Sequence, residues 1–74
     1  MLDIYVGIPE DDRMVTVPKD WTIAKVLSEN NVRTEGMVQF NGRTIPTNEF
    51  DKTLESLGAT DHDQLYVVRK LDSA

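Results

Sequence analysis

The chain has 74 residues, a formal net charge of −5 and no cysteine, which bounds it to one small acidic domain. At this length folding buries only about 60% of the unfolded surface, and with no disulfide or thiolate metal site available, packing has to hold the molecule together. The acidic balance disfavours nucleic acid, whose phosphates call for clustered Lys and Arg, and no apolar run approaches the ~18 residues of a membrane span. The absence of disulfides suits a reducing compartment, and no signal-peptide pattern opens the chain, so a cytoplasmic location is expected.

Leu2, Ile4, Val6 and Ile8 alternate with other residues, the period of a half-buried strand. Residues 9–12, Pro-Glu-Asp-Asp, form a turn sequence. Residues 13–17 alternate again with Val15 and Val17 inward, and Pro18 stops them, so the opening is a hairpin. Asp20 or Thr22 can cap a helix whose apolar face is Ile23, Val26 and Leu27, with Ala24 beside them. Asn30-Asn31 fits its end, giving about ten residues, short enough to need packing.

Residues 36–40 form a third strand, with Val38 and Phe40 inward. Asn41-Gly42 follows, a strong hairpin signal because both residues tolerate positive φ. Residues 43–45 make a brief strand that Pro46 ends, as suits a sheet edge. Residues 47–60 read as irregular, anchored by Phe50, Leu54 and Leu57, with Thr53 able to cap a single helical turn. Asp61-His62-Asp63 turns into a last strand over 64–70, with Leu65 and Val67 inward. That strand is apolar on both faces, which points to the centre of the sheet. A parallel pairing with the first strand would satisfy it, the helix supplying the crossover. The expected class is α+β: a mixed sheet of four to five strands, in the order β-β-α-β-β-β, packed on one helix.

Three stretches give this layout a family resemblance. Residues 22–27, Thr-Ile-Ala-Lys-Val-Leu, resemble the helix start of both ubiquitin-like and sulfur-carrier proteins. Residues 38–46, with their Asn41-Gly42 turn and Ile45-Pro46 step, followed by Glu49-Phe50, are similar to the sulfur carriers of thiamin synthesis. Leu57-Gly58, Asp61 and the apolar run to Val68 are similar to the ending shared by the ubiquitin-like β-grasp superfamily. The resemblance implies a β-grasp fold and, most often, a protein-binding module. A subset of such proteins is activated at a flexible terminal Gly-Gly, where glycine passes a narrow enzyme channel because it has no side chain. Here Ser73 and Ala74 stand at the matching positions. The expectation is therefore a non-catalytic interaction module that is a poor substrate for conjugation. The alternative is a sulfur carrier or modifier activated at its C-terminus, or a degenerate descendant of one.

The outward face of the last strand carries Tyr66, Val68 and Lys70, with Gln39 and Met37 beside them on the third strand. The resemblance implies that partners bind on this face, made more polar here by Gln39. The plainer alternative is a solvated sheet surface, since scattered exposed apolar residues are normal. Tyr5, Met14 and Thr16 point outward on the first hairpin; they either extend that patch or form a second one, and the plainer reading is ordinary cross-strand pairing. Trp21 reads as a staple over one end of the core rather than an interface anchor. His62 lies between two aspartates, but adjacent turn side chains rarely converge on one ion, and no second His or Cys completes a site. Related chains often have Gly at this position, so His62 is expected to take positive φ. The inventory has no nucleophile–base set for an enzyme, and no phosphate loop appears in the glycine spacing. The expected partner is a protein, bound on the sheet face or as a strand added at the edge of 43–45, with no cofactor, no metal and a monomeric state; Pro46 and its neighbouring charges oppose a dimer through that edge.

Overall fold

The alternation at the start of the chain becomes an antiparallel hairpin, β1 (Leu2–Ile8) against β2 (Asp11–Val17), paired from Leu2↔Val17 to Ile8↔Asp11. The structure is a computed structural model and describes residues 1–68. Lys70, Ser73 and Ala74, and the end of the strand expected over 64–70, lie outside the described residues. β2 starts two residues earlier than its alternation suggests, and the connecting loop shrinks to Pro9-Glu10. Asp11 and Asp12, turn formers by composition, are instead paired in the ladder with Ile8 and Gly7. Gly7 makes this tight tip possible. Its φ is +141°, and a Cβ there would stand 2.6 Å from the Asp11 carbonyl oxygen.

Helix α1 (Ile23–Glu29) has seven residues rather than about ten. Thr22 is the cap that forms, its hydroxyl accepting from the Lys25 N–H at 3.1 Å. The C-terminal end is closed by a Schellman motif. Asn31 sits at φ 58°, its N–H donates to the Ser28 carbonyl (3.2 Å), and the Val32 N–H returns to the Leu27 carbonyl (2.9 Å). Val32 also packs against the core, the apolar contact that usually accompanies this motif. Thr22→Ala is expected to cost about 1 kcal/mol, read from the shift of the urea midpoint at unchanged slope.

The segment between Pro46 and Asp61 has little regular structure, only a 3₁₀ turn at Thr47–Glu49, yet it is tied firmly to the helix. The carbonyls of Lys52 and Phe50 accept from the first two helical N–H groups, Ile23 (3.1 Å) and Ala24 (3.1 Å). These are donors that a helix cannot satisfy by itself. In return the Leu54 N–H donates to Trp21 (3.0 Å) and the Glu55 N–H to Lys19 (2.9 Å). Thr53 caps a single turn as expected, its hydroxyl accepting from the Ser56 N–H at 3.1 Å.

The five strands run in the spatial order β2-β1-β5-β3-β4, with β3 at Met37–Phe40, β4 at Arg43–Ile45 and β5 at Gln64–Val68. β5 is central, parallel to β1 and antiparallel to β3. The Asn41-Gly42 turn has φ 53° and 85°, the positive pair that a two-residue hairpin turn requires. Asn41 also locks β3 to β5. Its N–H donates to the Gln64 carbonyl, and its side-chain oxygen accepts from the Gln64 N–H, both at 2.8 Å. One face of the sheet closes on the helix through Ile4, Val6, Val17, Val38, Phe40, Ile45, Leu65 and Val67, which meet Ile23, Val26, Leu27 and Leu54. Phe50, Leu57 and Trp21 pack along the margin. Ile8 shares the inward parity of β1 but sits half-buried at the hairpin end, outside this cluster.

Candidate functional site

The outer face of the sheet is built from the alternate residues that the core does not use. Pairing fixes who stands beside whom. Gln39 lies opposite Tyr66 and Met37 opposite Val68 across β3 and β5. On the other side of β5, Tyr66 is level with Gly7, and Gly7 is level with Asp12 on β2. One row across the sheet therefore reads Asp12, Gly7, Tyr66, Gln39, Thr44. Four of the five residues expected on this face come together there; the fifth, Lys70, lies outside the described residues.

Tyr66 does something the strand pattern does not announce. Its hydroxyl donates to the Asp12 carboxylate at 2.6 Å, two strands away. Adjacent strands stand about 4.8 Å apart, so the side chain has to cross β1 to get there. It crosses at Gly7, the one outward position of β1 without a side chain, and Gly7 is buried although it faces away from the core. A glycine inside an otherwise alternating strand is the available sequence signal for such a close approach. Asp12 gave no such signal, because it reads as a turn residue.

This hydrogen bond governs the ionisation of Tyr66. Its pKa is pushed up to about 12, chiefly because the hydroxyl donates to Asp12, then through partial desolvation and through repulsion from the Asp12 charge and from Tyr5. The unfolded phenol titrates at about 10. The folded state thus holds the proton more tightly than the unfolded state. The associated stability is complete below pH ~10 and is lost as pH rises through about 12. In a phenolate absorbance titration, Asp12→Ala is expected to bring the late-titrating tyrosine back towards ~10. A curve unchanged by Asp12→Ala would mean that the bond does not form in solution.

The rest of the face is softer. Met37 and Met14 are 44% and 43% exposed, and Tyr66, Val68, Gln39 and Tyr5 are half-buried. Met14 pairs with Tyr5, and Tyr5 is level with Gln64. Asp3 accepts from the Thr16 hydroxyl at 2.6 Å. Tyr5 and Met14 thus continue the surface of Tyr66 towards the β2 edge.

The remaining candidates have local roles. His62 adopts φ 72°, as expected, and its N–H donates to the Asp3 carbonyl at 2.6 Å. Its neighbours are occupied: Asp61 accepts from the Asp3 N–H (3.0 Å) and Asp63 from the Thr60 N–H (2.8 Å). Among the described residues no three His, Cys, Asp or Glu side chains are grouped to hold a metal ion. Trp21 covers the core margin, with the Lys25 ammonium 5.2 Å from its ring centroid. A cleft of about 450 Å³ opens between the hairpin tip and the end of the helix. Its ionic groups are mixed in sign: Asp11, Asp12, Arg13, Arg33 and Glu35.

Solved structures share this architecture end to end. A ubiquitin from Caldiarchaeum subterraneum superposes with a TM-score of 0.68 at 18% identity, covering 99% of this chain and 98% of that one. The C-terminal ubiquitin-like domain of mouse tubulin-specific chaperone e gives 0.67 at 20% identity, covering 99% and 90%. The fold is the ubiquitin-like β-grasp. A ubiquitin-like protein from the hyperthermophilic archaeon Caldiarchaeum subterraneum matches at 0.56 and 20% identity, covering 97% and 100%. No family model matches the sequence, and no curated protein matches it significantly. At these identities the likeness is one of fold, and function has to be argued from the sites of this β-grasp itself. Among the described residues, no helix is long and apolar enough to cross a membrane.

Proposed function

We propose that this β-grasp domain is a non-catalytic protein-interaction module that binds through the outer face of its sheet. The observation that carries this reading is the patch formed by the neighbouring pairs Tyr66–Gln39 and Val68–Met37, extended by Tyr5 and Met14. It joins an aromatic held in place by Asp12 to two exposed methionines. A held aromatic loses little conformational entropy when a partner docks on it, and methionine adapts its shape to what it meets. The cleft at the hairpin tip is a weaker candidate, because its charges are mixed and Arg33 pairs with Glu35 across 3.6 Å.

The test starts with affinity capture and mass spectrometry using the unaltered domain and the Tyr66→Ala and Val68→Ala variants. Purified captured protein is then titrated into the ¹⁵N-labelled domain. Amide shifts centred on Tyr66, Val68, Gln39 and Met37 are expected. Tyr66→Ala should weaken binding about tenfold or more, as central aromatic anchors do. Saturable shifts confined to the helix or the cleft would sink the assignment of the face.

A further inference from the structure

Resting on the interaction-face reading, we propose that the partner segment for this face carries an arginine between apolar residues, its guanidinium stacked on Tyr66 and paired with Asp12.

Over the described residues the charge of the face is one-sided. Among the described residues the outward positions of the sheet hold two ionic side chains, Asp3 and Asp12, and both are acidic. The whole chain carries −5, so the surrounding field has the same sign. A cationic partner is drawn to such a surface, and an acidic one is repelled.

The geometry then selects among cations. Tyr66 lies across β1 above Gly7, which leaves its other side towards solvent and its hydroxyl end at Asp12. Aromatic surface and carboxylate are therefore adjacent and mutually oriented. A planar guanidinium can stack on the ring and at the same time donate to the carboxylate edge. An ammonium is a point charge and does one of these well at a time. Asp12 has capacity left. Tyr66 uses Oδ2, and an ionised carboxylate offers about four acceptor positions. The Asp12 side chain is exposed, so pairing it costs little desolvation. Apolar residues flanking the arginine would meet Met14 on one side and Met37 and Val68 on the other.

The experiment titrates the ¹⁵N-labelled domain with three acetylated, amidated five-residue peptides. Each has leucine and valine on both sides of a central residue, which is arginine, citrulline or glutamate. Citrulline keeps the planar shape and loses the charge. The arginine peptide is expected to shift Asp12, Tyr66, Gln39 and Met37. It should bind about fivefold more tightly than the citrulline peptide, the combined size of an exposed ion pair and a cation–π contact. That advantage should shrink at high salt. In Asp12→Asn, with its fold checked by circular dichroism, the arginine-over-citrulline ratio should fall to about twofold, the share that the cation–π contact with Tyr66 supports by itself. Equal affinities for all three peptides, with shifts on the face, overturn the arginine preference and leave the face reading standing. Shifts confined elsewhere, or no saturable shift with any peptide, overturn the proposal. In that case the captured partner's own shift map decides whether the face reading falls too.

Discussion

Gly7→Ala unfolds more easily than the parent by about 3 kcal/mol, the expected sum of a strained φ and an overpacked contact. Two separate facts make the position intolerant. The backbone stands at φ +141°, which a residue with a Cβ rarely adopts. The new Cβ would also lie 2.6 Å from the Asp11 carbonyl oxygen, which is backbone and cannot swing aside. In a domain of this size such a loss lowers Tm by about 12–24 °C. The new Cβ also presses on the Asp11–Asp12 backbone, which carries the acceptor of Tyr66. Its phenolate titration should move from about 12 towards ~10, as the bond to Asp12 lengthens or breaks. Gly42→Ala is the control. It has positive φ, but nothing within 4 Å of its Cβ position, so it tests conformational strain without a clash. A Gly7→Ala protein no less stable than Gly42→Ala would show that the hairpin tip relaxes around the added carbon.

Leu54→Ala is expected to cost about 3 kcal/mol, within the range for a fully buried leucine whose site cannot collapse. Leu54 comes from the least regular part of the chain yet has no exposed surface. Its segment holds the helix start through Ile23–Lys52, Ala24–Phe50 and Leu54–Trp21 hydrogen bonds. The loss should therefore spread. Amide exchange at Ile23 and Ala24 is expected to accelerate more than exchange in β3, because their acceptors sit on the loosened segment. Uniform acceleration across the whole domain would mean that the segment and the sheet open as one unit.

Legibility in the sequence followed periodicity and turn chemistry. The β1 alternation, the Asn41-Gly42 turn and the two-sided apolar run at Leu65–Val68 each constrain a local geometry that few alternatives satisfy. The central, parallel place of β5 followed, because a strand apolar on both faces gains most shelter with a neighbouring strand on each side. The helix length was less legible. Apolar spacing marks a face, whereas the ends depend on which cap forms, and here Thr22 prevails over Asp20. The site was legible as a set of residues sharing a face. Its organising contact was not, since a bond between residues 54 positions apart leaves no periodic trace.

The amino-acid sequence alone therefore determined the class of the fold, the strand order along the chain and which side chains turn inward, because these follow from local propensity and period. Tertiary structure alone decided three things: that Gly7 gives Tyr66 a path to Asp12, that residues 50–55 complete the helix start, and that the outer face has a rigid aromatic beside an acidic group. Each depends on register between segments far apart in the chain, and register is set only when the sheet closes on its core.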